Sequence, residues 1–243
     1  MALTYKTAAQ LGIPLVLSLL LLAWGAAKVL DPVLFPLRVV SMTGDFHYLA
    51  VEPAQRSILE QFQQGFFHVD LRAVQQWVEA MPWVQSATVR RVWPDTLQVQ
   101  VWERQPFAKW QDTQLLNAQG RIFAPTPLPD GLPELSGPEA TERLVLDQYR
   151  QMGEILATIN LTIEQVRLDE RRDWQVTLDN GIVLQLGHEQ MTQRLERVVK
   201  TFQKILVRQP ERQIKTIDLR YPNGFAIRWE QDPDKEGIWP RKI

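Results

Sequence analysis

The 243 residues contain no cysteine. That absence excludes disulfide staples and thiolate metal ligands together, and a chain of this length builds a core without staples. Histidine is nearly as scarce, since His47, His68 and His188 are scattered without metal-ligand spacing. No charge sign dominates, the formal net charge being −1. Neither the basic stripe of a nucleic-acid binder nor a polybasic membrane patch stands out. Also missing are Gly-x-Ser-x-Gly, a Gly-rich phosphate loop and His-Glu-x-x-His. Asp169, Glu170 and Asp173 mingle with Arg167, Arg171 and Arg172, a mixture typical of a solvated turn. A carboxylate pair brought together only by the fold, as in a glycosidase, is the one hydrolytic chemistry left open. The reading is therefore of a non-enzymatic chain with no cofactor, no metal, no nucleic-acid partner and no small-molecule substrate.

What is present is a globular composition, 45% hydrophobic and 23% charged, with nine tryptophans. From Thr7 to Ala27 no residue is charged. As a helix this run would reach roughly 30 Å, the hydrocarbon thickness of a bilayer. Trp24 and Lys28 suit its interface. A cleaved signal peptide is the rival reading, because Gly25-Ala26-Ala27 are small. The thin charge before the run and its length favour a retained span over residues 7–30. The short segment 1–6 cannot house a domain, so it is expected in the cytoplasm and the bulk of the chain on the other side.

Beyond Pro32 and Pro36, Leu37 to Met42 reads as a strand ending at Gly44. Pro53 opens a helix with Ile58, Leu59 and Phe62 on its apolar face, and Gly65 stops it. Phe66, Phe67 and Val69 suggest a short extended piece holding His68. Asp70 then caps a second helix carrying Leu71, Val74, Val78 and Met81. Two strands follow, the second alternating Leu97, Val99 and Val101 with Gln98 and Gln100, joined by a turn at Pro94-Asp95. Trp83 and Trp93 are read as core of this module. The order β-α-β-α-β-β predicts a small α+β unit with both helices on one face of its sheet.

A second region begins near Arg104, with short strands around Phe107–Trp110 and Leu115–Asn117 and a proline-rich crossing from Pro125 to Pro138. Thr141 is a candidate cap for a helix bearing Val145, Tyr149, Met152 and Leu156. Asn180-Gly181 between alternating segments is a strong hairpin signal. Met191, Leu195, Val198, Phe202 and Ile205 form a helical stripe, and the last strands run through Ile217, Leu219 and Tyr221 to Phe225, Ile227 and Trp229. The expectation is a mainly antiparallel β-domain with two covering helices and a flexible tail at 231–243.

The stretch from Met81-Pro-Trp-Val through Arg90-Arg-Val-Trp-Pro-Asp95 to Val101-Trp-Glu-Arg-Gln-Pro-Phe-Ala-Lys-Trp110 resembles the bacterial cell-division FtsQ family. Val40-Ser-Met-Thr-Gly44, Leu115-Asn-Ala-Gln-Gly-Arg-Ile-Phe123, Leu132-Pro-Glu-Leu-Ser-Gly-Pro-Glu139 and Ile217-Asp-Leu-Arg-Tyr221 through Trp229 continue the likeness in order. The resemblance implies a POTRA domain over 37–105 and an FtsQ-type β-domain over 106–230. It also implies an inner-membrane, single-pass protein facing the periplasm at the division septum. There the β-domain would bind FtsB and FtsL, the POTRA side would contact FtsK and other divisome proteins, and septal wall synthesis would come under control. Carried over residue by residue, the FtsB contact falls on Arg172, Arg220, Tyr221, Asn223, Gly224, Phe225, Ile227 and Trp229. Strand addition at an exposed sheet edge is the physical mode that fits such a site. The tail of about six residues is shorter than in many relatives, so no role of that tail carries over. A POTRA-type periplasmic chaperone or secretion component is the alternative, although tandem POTRA repeats and a carboxy-terminal barrel are not visible.

Overall fold

A computed structural model describes residues 17–22, 24–25, 28, 35–208, 213–221 and 224–230, without the side chains of 203–208. The chain divides into two compact units, Met1–Arg104 and Gln105–Ile243. Leu17–Leu22 are helical, but among the described residues no helix is long and apolar enough to cross a membrane. Most of the expected span at 7–30, the tail at 1–6 and the tail at 231–243 lie outside the described residues.

In the first unit, β1 (Val39–Thr43) is followed by α1 (Val51–Gln61), α2 (Leu71–Glu79), β2 (Val84–Val92) and β3 (Thr96–Glu103). The sheet order is β1-β3-β2, with β1 parallel to β3 and β2 antiparallel to it. Alternation in β3 sends Leu97, Val99 and Val101 inward, against Ile58 of α1 and Val74 and Val78 of α2. Each such buried side chain contributes about 1.5–3 kcal/mol of hydrophobic stabilisation. Asp70 caps α2 as its side chain suggests, its Oδ1 accepting the N–H groups of Arg72 at 2.9 Å and Ala73 at 3.4 Å. The segment from Phe66 to Val69 is not a strand, so the module runs β-α-α-β-β. It forms a turn instead, because its backbone bonds elsewhere: Phe66 N–H donates to Phe35 C=O and Val69 N–H to Gly65 C=O. The Arg91 guanidinium binds the turn's carbonyls at Phe66, Phe67 and Val69. His68 is exposed within it. Trp83 is buried and stacks on Tyr48 at 4.3 Å between centroids. Trp93 departs from the expected core position, being 73% exposed at the tip of the β2–β3 hairpin.

The second unit is built on a nine-stranded sheet in the order β12-β11-β10-β9-β8-β7-β4-β5-β6. Its strands are β4 (Ala108–Trp110), β5 (Gln114–Leu116), β6 (Ile122–Phe123), β7 (Glu134–Ser136), β8 (Ile163–Leu168), β9 (Trp174–Leu178), β10 (Val183–Gly187), β11 (Ile214–Asp218) and β12 (Ala226–Trp229). Five neighbouring pairs are antiparallel, but β4–β7, β7–β8 and β10–β11 are parallel, so the sheet is mixed. Each parallel pair needs a crossover, and α3 (Glu142–Ala157) and α4 (Met191–Arg208) supply two of them. Val145, Met152 and Leu156 of α3 and Leu195, Val198 and Phe202 of α4 join Trp110, Leu135, Val176, Leu184 and Ile217 of the sheet in one core. Asn180-Gly181 makes the β9–β10 turn, with Gly181 at φ +80° and Asn180 Oδ1 accepting the Ile182 N–H. Thr141 precedes α3 without capping it, since its hydroxyl donates back to Pro138 C=O at 2.6 Å.

Candidate partner-binding edge

Strand register lines up one end of the nine-stranded sheet. Leu168 faces Trp174, Trp174 faces Gly187, Gln185 faces Asp218, and Asp218 faces Ala226. The turn from Asp169 to Asp173 and the connection from Leu219 to Phe225 therefore leave the sheet at the same end. This placement brings the two separated pieces of the expected site together.

Arg172 is exposed in the first turn at φ +67°, its N–H donating to Asp169 C=O at 3.0 Å. The turn is held by Asp169 Oδ1, which accepts the N–H groups of Arg171 and Asp173, both at 2.8 Å. Asp173 in turn lies 3.2 Å from His188 Nδ1. Beside this turn a groove of about 250 Å³ is lined by Arg167, Asp169, Asp173, Trp174, Gln185, Gly187 and Arg220.

Arg220 is fixed from its own strand end. Its Nε and Nη2 donate to Asp218 Oδ1 and Oδ2 at 3.0 and 2.7 Å, a charge-assisted fork. The hydrogen bond from Arg220 holds the Asp218 carboxyl below the usual carboxylate range, and the same contact raises the guanidinium further. Gly187 gives Arg220 its room: it sits at φ +73°, and a Cβ there would lie 3.0 Å from Arg194 Nη1 and 3.2 Å from Arg220 Cγ. Tyr221 follows, 54% exposed. Gly224 is half-buried, and Asn223 lies outside the described residues.

Strand β12 forms one end of the sheet order. Phe225, Ile227 and Trp229 are half-buried and pack on the core, whereas Ala226 and Arg228 are exposed. The expected residues thus divide by exposure. Aromatic and aliphatic side chains anchor the edge, while Arg220 and Tyr221 reach solvent beside it. Asp218, Gly187, Ala226 and Arg228 join the site only through the fold. The period-two alternation through 225–229 places Ala226 and Arg228 opposite the apolar set, but the Asp218–Arg220 fork has no sequence signature of its own. Among the described residues no group of three or more His, Asp or Glu side chains converges as a metal-ligand set.

Two family profiles match the chain. One described as "POTRA domain, FtsQ-type" covers residues 35–104, and one described as "Cell division protein FtsQ/DivIB, C-terminal" covers residues 108–220. A protein of Shewanella oneidensis named cell division protein FtsQ is 37% identical over 210 residues, 86% of this chain and 79% of that protein. The chain belongs to the FtsQ family of cell-division proteins. Its FtsQ relative from Coxiella burnetii is 33% identical over 224 residues, 90% of this chain and 91% of the relative. The FtsQ of Escherichia coli is 35% identical over 209 residues, 83% of this chain and 75% of that protein. FtsQ-family membership makes this a cell-division protein that acts with other division proteins. Its first module is a POTRA domain of the FtsQ type. The FtsQ/DivIB profile ends at Arg220, so β12 falls just beyond it.

Proposed function

We propose that this FtsQ-family chain is a non-enzymatic scaffold that holds FtsB and FtsL at the division septum by accepting a strand on β12. The carrying observation is the terminal position of β12, whose Ile227 and Trp229 pack on the core while Arg220 and Tyr221 stand exposed at its entry. A partner strand laid along β12 would gain main-chain hydrogen bonds, and Tyr221 offers the large amphipathic side chain that interface anchors favour. Arg172 on the neighbouring turn and Arg220 would supply donors for an acidic or carbonyl-rich stretch of the partner. Asn223, Gly224 and Phe225 belong to the same connection and complete the contact. FtsK and further divisome proteins are assigned to the POTRA side.

In this reading residues 1–6 form a cytoplasmic tail and 7–30 a single inner-membrane span. Residues 37–105 and 106–230 form the periplasmic domains, and 231–243 the tail. A fluorescent fusion is expected as a mid-cell band in dividing cells, and uniform envelope signal would count against the septal assignment.

The direct test is calorimetric titration of the chain with FtsB. Tyr221→Ala is expected to weaken binding by about 2 kcal/mol or more, roughly 30-fold, with an unchanged melting temperature. Trp229→Ala is expected to weaken binding too but also to lower the melting temperature, because that indole packs on the core. Unchanged affinity in both variants removes the edge from consideration.

A further inference from the structure

Trp93 is the most exposed of the large hydrophobic side chains in the first unit's folded part, and it does not stand alone. Val39 is 46% exposed, Val92 39% and Phe67 36%, and all belong to the same end of the three-stranded sheet. Parallel pairing puts Val39 opposite Thr96, at the start of β3. The N–H groups of Arg38 and Val39 both donate to Asp95 C=O, at 3.0 and 3.3 Å, which ties the hairpin tip to the chain's point of entry. Phe67 is drawn to the same end by the Arg91 clamp and packs edge-on against Phe35 at 5.4 Å. Phe35 C=O receives the Phe66 N–H. The entering chain, the hairpin tip and the Phe66–Phe67 turn thus form one surface with exposed apolar side chains.

The sequence upstream says what this surface faces. The uncharged run ends at Ala27, and Lys28 begins the link to Phe35. Seven residues reach at most about 25 Å even when fully extended, so the hairpin tip stays near the end of that run. Basic groups outnumber acidic ones around the tip, with Arg38 and Arg90 exposed and Asp95 half-buried. Tryptophan with a basic surround is the composition that partitions into the headgroup layer, where an indole has both an apolar body and a polar edge. An exposed cluster of this kind in a folded domain marks an interaction surface.

We propose that the POTRA hairpin tip, with Trp93 leading and Val92, Phe67 and Val39 beside it, seats on the lipid bilayer surface and sets the orientation of the domain against the membrane. This rests on the reading of residues 7–30 as a retained span. A tethered domain with one lipid-seated corner has its sheet direction fixed relative to the membrane instead of swinging on its link. Burial of the indole, and attraction of Arg38 and Arg90 to lipid phosphates, would hold that corner down.

The absence of native cysteine makes the test clean. The full chain would be reconstituted in phosphatidylethanolamine–phosphatidylglycerol vesicles with a single fluorophore at Val92→Cys, or at Gln85→Cys at the far end of β2. The label at 92 is expected to be quenched by lipid-tethered nitroxide and shielded from aqueous iodide, with the reverse at 85. Adding Trp93→Glu is expected to move the label at 92 into water. Resistance to alkaline carbonate with both labels open to iodide overturns the seated tip while leaving the span intact. Shielding of the label at 92 from both quenchers means a protein contact and also overturns it. Extraction by carbonate removes the span, and the proposal with it.

Discussion

The two sheets expose their edges differently. In the first unit the hairpin strand β2 forms an edge of nine residues, and its solvent-facing half carries Arg90 and Arg91. Arg91 is locked onto the carbonyls of the Phe66–Val69 turn, and Arg90 Nε donates to Gln98 Oε1 across the strand pair. Charged residues and a covering turn are ordinary means of making an edge unattractive to other chains. In the second unit one edge, β6, has only two residues, which is too short to template pairing. The other, β12, has four, with apolar anchors below and Arg228 as its exposed charge. Three of these ends need not share a function. What they teach is that edge chemistry, more than edge position, decides whether a strand is guarded, and the strand addition proposed for β12 depends on that difference.

The units also differ in how they are held, and the largest effects should show it. Trp110→Ala removes a large side chain that is 2% exposed and should destabilise the second unit by about 3–5 kcal/mol. Ile58→Ala, at full burial in the first unit, should cost about 2–5 kcal/mol. Amide exchange measured across the chain should report each loss chiefly in its own unit. Equal loss of protection in both units would break the division at Arg104.

A smaller effect concerns a buried carboxylate of the first unit. Glu103 is 6% exposed, and its carboxylate accepts the N–H groups of His47, Tyr48 and Leu49 at 2.8, 2.8 and 2.5 Å. Glu103→Ala should lower stability by about 1–3 kcal/mol, because those donors lose their acceptor. Urea titration would measure the loss, and an unchanged midpoint would mean that water replaces the carboxylate.

The smallest effect belongs to the candidate edge. Arg220 holds Asp218 below its ordinary range, so the folded state binds that proton less readily than the unfolded chain. The resulting stabilisation is complete above about pH 4 and is lost as pH falls through the lowered value. Asp218→Asn should therefore lower the melting temperature slightly at neutral pH, with the difference from the parent closing as pH falls below about 4, so that the acid limb of the profile is flatter. The same variant loosens Arg220 and should weaken FtsB binding without altering the fold. An acid limb identical to the parent would show that the fork contributes nothing to stability.

Much of the secondary structure was legible because single residues announce it. Asp70 caps α2, Asn180-Gly181 turns β9 into β10, and the alternation of Leu97, Val99 and Val101 marks β3 as half-buried. Thr141 looked equally suited to capping, yet its hydroxyl bonds Pro138 C=O instead. Phe66 to Val69 has strand composition, but its backbone bonds to Phe35 and Gly65, and Arg91 takes its carbonyls. Tryptophan composition points Trp93 inward, but the tight turn carries it out.

By itself the sequence determined the local elements, the apolar faces that build two cores, and membership in a cell-division family. Tertiary structure decided which strands neighbour one another: β7 inserts between β4 and β8, and β11 lies parallel to β10. It also decided that the turn bearing Arg172 and the connection bearing Tyr221 share one end of a sheet. The physical reason is that caps, turns and alternation act over a few residues, where backbone bonding is local. Strand order follows from long-range burial, in which distant apolar faces compete for the same core and no short segment carries the answer.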